Sequence, residues 1–167
     1  IELGLVGSEM CIRDRYIGAG PIQGATVCIE ATPGTCTGAQ YTDTTAQDGS
    51  FSITVDSGTT GVLRGEGGFD PVTNLQFNDD NSLALGQPVT SQNFVVSPLS
   101  TLMNEYDSGG STDYDTFKQK LGLDSSFMIR FDNPFDSLGS ASSNKAAVVN
   151  TQLLVLHEVI KLSLIHI

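Results

Sequence analysis

Carboxylates crowd this sequence in pairs: Asp79 with Asp80, Asp113 with Asp115, and Asp132 with Asp136. Glycoside hydrolysis needs two such groups flanking one bond, one as acid and the other as base or nucleophile. The chain has no Trp and few aromatics, and no spacing brings any pair to a cleft, so solvated loop carboxylates are the expectation. Nucleophilic catalysis needs a base beside the nucleophile. The two imidazoles are His157, inside an apolar run beside Glu158, and His166, in a terminal segment discounted below. His157 reads as a packing or solvated residue, and no catalytic residue is assigned. Asp79, Asp80 and Asn81 offer hard oxygen ligands in one loop, as do Asp132, Asn133 and Asp136 in another. Neither follows the EF-hand spacing with its distal Glu, so Ca²⁺ stands as a candidate ligand without an assigned site, and no other cofactor is expected. Gly65, Gly67 and Gly68 look like a phosphate cradle, but no Lys-Ser/Thr follows them. A tight turn or bulge is expected there.

The three cysteines are Cys11, Cys28 and Cys36. Cys11 falls in the discounted N-terminal segment, which leaves an even pair on either side of Pro33-Gly34. With no second Cys pair and one remaining imidazole, a zinc site is not expected. Cys28 and Cys36 read as a disulfide across a hairpin, which would stabilise the fold by roughly 2 to 3 kcal/mol on the chain-entropy model and imply an oxidising compartment. The alternative is a buried strand residue at 28 and a free loop thiol at 36.

The elements that would position these residues change character along the chain. Ala25 to Ala31 alternates, with Ala25, Val27 and Ile29 on one face and Thr26, Cys28 and Glu30 on the other. Gln40 to Thr45 can pair back on it. Asp48-Gly49 is a hairpin signal, and Phe51, Ile53 and Val55 alternate through the strand that follows. Val62-Leu63, Leu75 to Phe77 and Val89 to Val96 supply further short strands. Many short strands with frequent turns predict an antiparallel β-sandwich over residues 16–97. From Ser97-Pro98 the period becomes helical: Ser97 suits an N-cap, Pro98 a first helical position, and Leu99, Leu102, Met103 and Tyr106 share a stripe. A second helix is expected from about Asp113 to a stop at Gly122, and a third from Asn144 to about Lys161. Residues 98–161 thus read as a small helical segment after the sandwich, giving a mixed fold class. The third helix is apolar beyond one face, so it is expected to be well buried or to contact something else. Polar residues from Asn150 to Lys161 interrupt it too often for a membrane span.

Both ends read as foreign. Residues 162–167, LSLIHI, can be encoded by CTG TCT CTT ATA CAC ATC, whose reverse complement read one base on begins ATG TGT ATA AGA GAC. That translates to Met-Cys-Ile-Arg-Asp, residues 10–14. One oligonucleotide at both ends explains the match, and Leu5 to Arg15 resembles a translated sequencing-library adapter. Residues 1–15 and 162–167 are therefore expected to be ligation scars, with the natural protein continuing beyond both, so that the chain is a fragment.

Composition limits the partners. Nineteen acids against eight bases give a formal net charge of −11, which would repel nucleic acid. About 150 residues suffice to bury roughly two thirds of the unfolded surface, so a real core is available.

PIQGATVC at residues 21–28, Cys36, and TDTTAQDGSF at 42–51 resemble the carboxypeptidase-regulatory-like, transthyretin-like β-sandwich modules of bacterial secreted surface and adhesin-like proteins. RGEGGFD at 64–70 and VSPLSTL at 96–102 are similar to segments that follow such modules. The resemblance spans about Pro21 to Leu123 and rests on structural positions. It implies a transthyretin-like sandwich and a role in anchoring, spacing or adhesion, outside the cell, at its surface or in the periplasm. The expected partners are other domains of the same polypeptide and a glycan or protein surface ligand. The alternative is a carbohydrate-binding accessory module of a secreted hydrolase, with Tyr41 as a candidate contact. The cysteine loop lacks the Asp and Asn of a Ca²⁺ loop, which withholds metal binding from that hairpin.

Overall fold

The computed structural model describes residues 10–32, 34–77, 83–86, 94–107, 114–135, 139 and 141–165. Among the described residues, nine strands come first and three helices last. One sheet sets β1 (Met10–Tyr16) between β4 (Ser50–Val55) and β9 (Val95–Val96). A second has the order β3 (Thr42–Thr44), β2 (Thr26–Ile29), β5 (Val62–Glu66), β8 (Leu83–Gly86). A ribbon of β6 (Phe69–Asp70) and β7 (Leu75–Gln76) completes the set. All these pairs are antiparallel except β1 with β9, which run parallel. The expectation of a purely antiparallel arrangement is corrected at that pair, because β9 reaches β1 through a long excursion instead of a hairpin.

The alternation in β4 does what its period requires: Phe51, Ile53 and Val55 are buried while Ser52 and Thr54 are exposed. They join Val27, Ile29, Leu63 and Val96, from both sheets, in one apolar cluster. Tyr16 lies at its centre, fully buried, with its hydroxyl donating to the carbonyl of Gly65 at 3.0 Å and its ring edge-on to Phe77. A Cβ on Gly65 would come within 2.6 Å of that ring, so only glycine leaves the tyrosine its seat.

Two local readings are revised. The Asp48-Gly49 turn forms, with Gly49 at φ +75°, but it joins β3 of one sheet to β4 of the other, so it is a crossing between sheets and not a hairpin. Turn chemistry reverses the chain without choosing the partner strand. β2 also departs from alternation, for Cys28 is buried beside Val27 and Ile29. The loop that carries Cys36 covers the outer face there. Gly67 and Gly68, both at positive φ, make the tight turn between β5 and β6.

α1 (Pro98–Asp107), α2 (Tyr114–Lys120) and α3 (Ala141–Ile165) follow. At the start of α1, Ser97 and Ser100 each accept a backbone N–H from the other through their side chains, a reciprocal cap. Gly122, at φ +66°, ends α2. Leu99, Met103, Phe117, Phe127, Ile129 and Val149 form a second apolar cluster, while Leu154 of α3 belongs to the first. α3 extends three residues before and four beyond the expected Asn144–Lys161.

The segments read as ligation scars contribute Met10 to Arg15 of β1 and the end of α3. Ladder and helix hydrogen bonds use backbone groups that every sequence supplies, and so are compatible with either origin.

Candidate functional site

The cysteine loop is built on the outer face of β2 and β5. Cys28 lies opposite Arg64 in the ladder, and Cys28 and Cys36 are bonded, with Cα atoms 5.6 Å apart. Both cysteines are shielded from solvent. Arg64 pairs with Glu30, whose other oxygen accepts the Gly34 amide at 3.2 Å, and Glu66 accepts the Cys36 amide at 2.9 Å. The charged groups around the disulfide thus bind its own loop. They hold a covalent staple in place.

The Ca²⁺ candidates separate. Asp79, Asp80, Asn81 and Asp136 lie outside the described residues. Asp132 accepts the Met128 amide at 2.8 Å and Asn133 the Phe135 amide at 3.0 Å, so both brace local turns. Among the described residues, no group of three or more His, Cys, Asp and Glu side chains could hold a metal. Asp115 is exposed, 3.0 Å from Lys118, and Asp113 is outside the described residues. His157 is exposed on α3. Tyr41 is half-buried against the first cluster and donates to Asp56 at 2.6 Å. Asp48 accepts from both the hydroxyl and the amide of Ser50, at 2.6 and 3.1 Å, and these bonds hold its carboxyl below the ordinary 3.8.

Sequence reasoning missed a buried polar joint. Asp70, fully buried, accepts the amides of Ala19 and Gly20 through one oxygen, at 2.9 and 3.1 Å, and that of Val72 through the other, at 2.8 Å. On the far side of the same glycine loop, the buried Asn150 donates to the Gly18 carbonyl at 2.6 Å and accepts the Leu99 amide at 3.1 Å. Leu99 is in the first turn of α1, where an N–H has no helical partner, and Asn150 satisfies it. The GGFD motif was the one signal of this joint in the sequence.

Two surface features remain, the apolar breadth of the third helix that the sequence announced and a cavity that it did not. Val148, Val155, Leu156 and Val159 leave an apolar face of α3 about half exposed. A cavity of about 190 Å³ lies among Met103 of α1, Tyr114 and Lys118 of α2, and the 127–131 turn. Arg130 stacks over the Tyr114 ring at 5.0 Å and donates to its hydroxyl at 2.9 Å. Lys118 donates to the Ser125 carbonyl at 2.6 Å. Among the described residues, no helix is long and apolar enough to cross a membrane. No family model matches the chain, and none of the curated proteins is similar to it.

Proposed function

We propose that the chain is a non-catalytic structural or adhesion module of a larger bacterial cell-surface protein, working outside the cell or in the periplasm. In this reading its strands make a transthyretin-like β-sandwich and its partners are other domains of the same polypeptide, with a glycan or protein ligand at a surface. The observation that carries it is the shielded Cys28–Cys36 bond, which closes a loop that Glu30 and Glu66 also hold through the Gly34 and Cys36 amides. A bond of that kind persists in oxidising compartments and is rare in the cytosol. The other buried polar side chains support the same reading. Asp70, Asn150, Thr45, Ser97 and Ser100 each bond to backbone, which spends them on the scaffold.

Thiol titration of denatured protein, prepared in an oxidising compartment without reductant, tests it. One reactive thiol, at Cys11, is expected. Three reactive thiols would remove the main support for a secreted module.

A further inference from the structure

We propose that the cavity between α2 and the 127–131 turn binds a neutral small molecule with a single aromatic ring. Polar ties hold the frame of this cavity. Arg130 stacks over the Tyr114 ring and donates to its hydroxyl, which fastens the turn to the start of α2. Lys118, paired with Asp115, donates to the Ser125 carbonyl and fastens the other end of the helix. The turn also braces itself: the Met128 carbonyl accepts the Phe131 and Asp132 amides, at 2.9 and 2.7 Å, and the Asp132 carboxylate accepts the Met128 amide. Walls fixed from both ends resist collapse, and the space between them is formed before any ligand arrives.

The same ties decide the charge of the ligand. Lys118 and Arg130 line the cavity but are engaged with groups of the protein, so an anion would shed its water and still have to displace those groups. The net charge of −11 repels it further. What is left to a ligand is apolar. Met103, Phe127 and Ile129 are buried side chains of the second apolar cluster, and Met128 and Phe131 are exposed at the rim. Water held against such walls is readily displaced by an apolar group. The walls also favour a ring over a chain. Phe127, Phe131 and Tyr114 offer aromatic edges and faces, and the Met103 and Met128 thioethers make favourable contacts with aromatic rings and adapt to their shape. The size admits one ring: about 190 Å³ is slightly more than the roughly 150 Å³ of an engineered apolar cavity that holds benzene.

The methionines provide the measurement. The chain has three; Met103 and Met128 line the cavity, while Met10 is in β1 and serves as the internal reference. Full-length protein labelled at the methionine methyls is titrated with toluene to millimolar concentration, and with benzoate and 1-pentanol in parallel. The Met103 and Met128 signals are expected to move saturably with toluene and the Met10 signal to stay. Binding should be about tenfold weaker for benzoate, which brings a charge that must be desolvated, and about fivefold weaker for 1-pentanol, which is neutral but has no ring. Ile129→Phe adds bulk to the wall and should weaken toluene binding about tenfold. If that variant does not fold, Met128→Ala, at an exposed rim position, takes its place and should weaken binding about threefold. The proposal is overturned by static Met103 and Met128 signals, by benzoate or 1-pentanol that binds as well as toluene, or by a folded variant of the pair that binds toluene as the wild type does.

Discussion

Replacing Asp70 by Asn changes one atom pair, yet should cost nearly as much as removing a large side chain. The carboxylate uses both oxygens as acceptors, Oδ2 for the Ala19 and Gly20 amides and Oδ1 for Val72. Asn has one acceptor oxygen, so whichever way its amide is turned, an NH₂ group faces at least one backbone N–H. The joint has no slack to relieve this. A Cβ on Gly18 would stand 2.9 Å from Asp70 Oδ2, and one on Gly20 would collide with Val72. Losing a bond to a charged acceptor and leaving a buried donor unsatisfied costs about 2 to 3 kcal/mol, and Asp70→Ala, which strands the Ala19, Gly20 and Val72 amides and the longer bond from Thr73, about 4. Folding stabilities of single domains are about 5 to 15 kcal/mol, so the Asn variant should remain folded. For a chain of this length the Asn change corresponds to a Tm lowered by roughly 5 to 10 °C. Urea unfolding followed by circular dichroism gives the free energy directly, provided the slope is unchanged. A loss under about 0.5 kcal/mol for Asp70→Asn would refute the claim that these amides depend on a carboxylate.

Three other changes test separate parts of the fold. Replacing both Cys28 and Cys36 by Ser should lower stability by roughly 2 to 3 kcal/mol in urea unfolding, the loop-closure term for so short a loop. Gly65→Ala should destabilise the wild type by about 1 to 3 kcal/mol through overpacking against Tyr16, and by clearly less when Tyr16 is already Leu; equal costs in both backgrounds would show that the ring is not the obstacle. The Asp48 carboxyl should titrate below 3.8 by NMR, and Ser50→Ala should raise it toward that value, since the Ser50 hydroxyl is the largest cause. Because the folded carboxyl is the stronger acid, its contribution to stability is present above the unfolded value and lost as pH falls through the folded one.

What was legible in the sequence was local. Ser97-Pro98 announces α1, because a cap and a first-turn proline act within four residues, and Gly122 stops α2 for the same reason. Phe51, Ile53 and Val55 show their buried face, since β4 is covered on one side alone. Cys28 breaks that logic because its outer face is covered by its own disulfide loop, a contact that periodicity cannot register. β8 escapes because Leu-Ala-Leu-Gly has no β-branched residue, and its pairing with β5 defines it. Asp70 and Asn150 look like ordinary polar residues, and the partners that make them a joint, Ala19 and Gly20 for one and Gly18 and Leu99 for the other, are 50 or more positions away. The cavity combines side chains from α1, α2 and the turn after α2, none of which forms a motif.

That same joint bears on the division of the chain at residue 97. Chain order separates strands from helices, but the buried groups do not respect it. Leu154 of α3 completes the apolar cluster of the sheets, and Asn150 binds the glycine loop that leads out of β1. Removing everything after residue 97 would strand the Gly18 carbonyl, open the seat of Leu154 and take away the Arg130 carbonyl that accepts the Val95 amide of β9. Asn150→Leu isolates the polar part, keeping the volume while breaking both bonds. It should cost about 2 to 4 kcal/mol and do so in a single unfolding transition seen equally by helix and sheet probes. Two separated transitions, with the sheet signal unmoved, would mean that the helices are an appended domain and that the boundary at 97 is a real one.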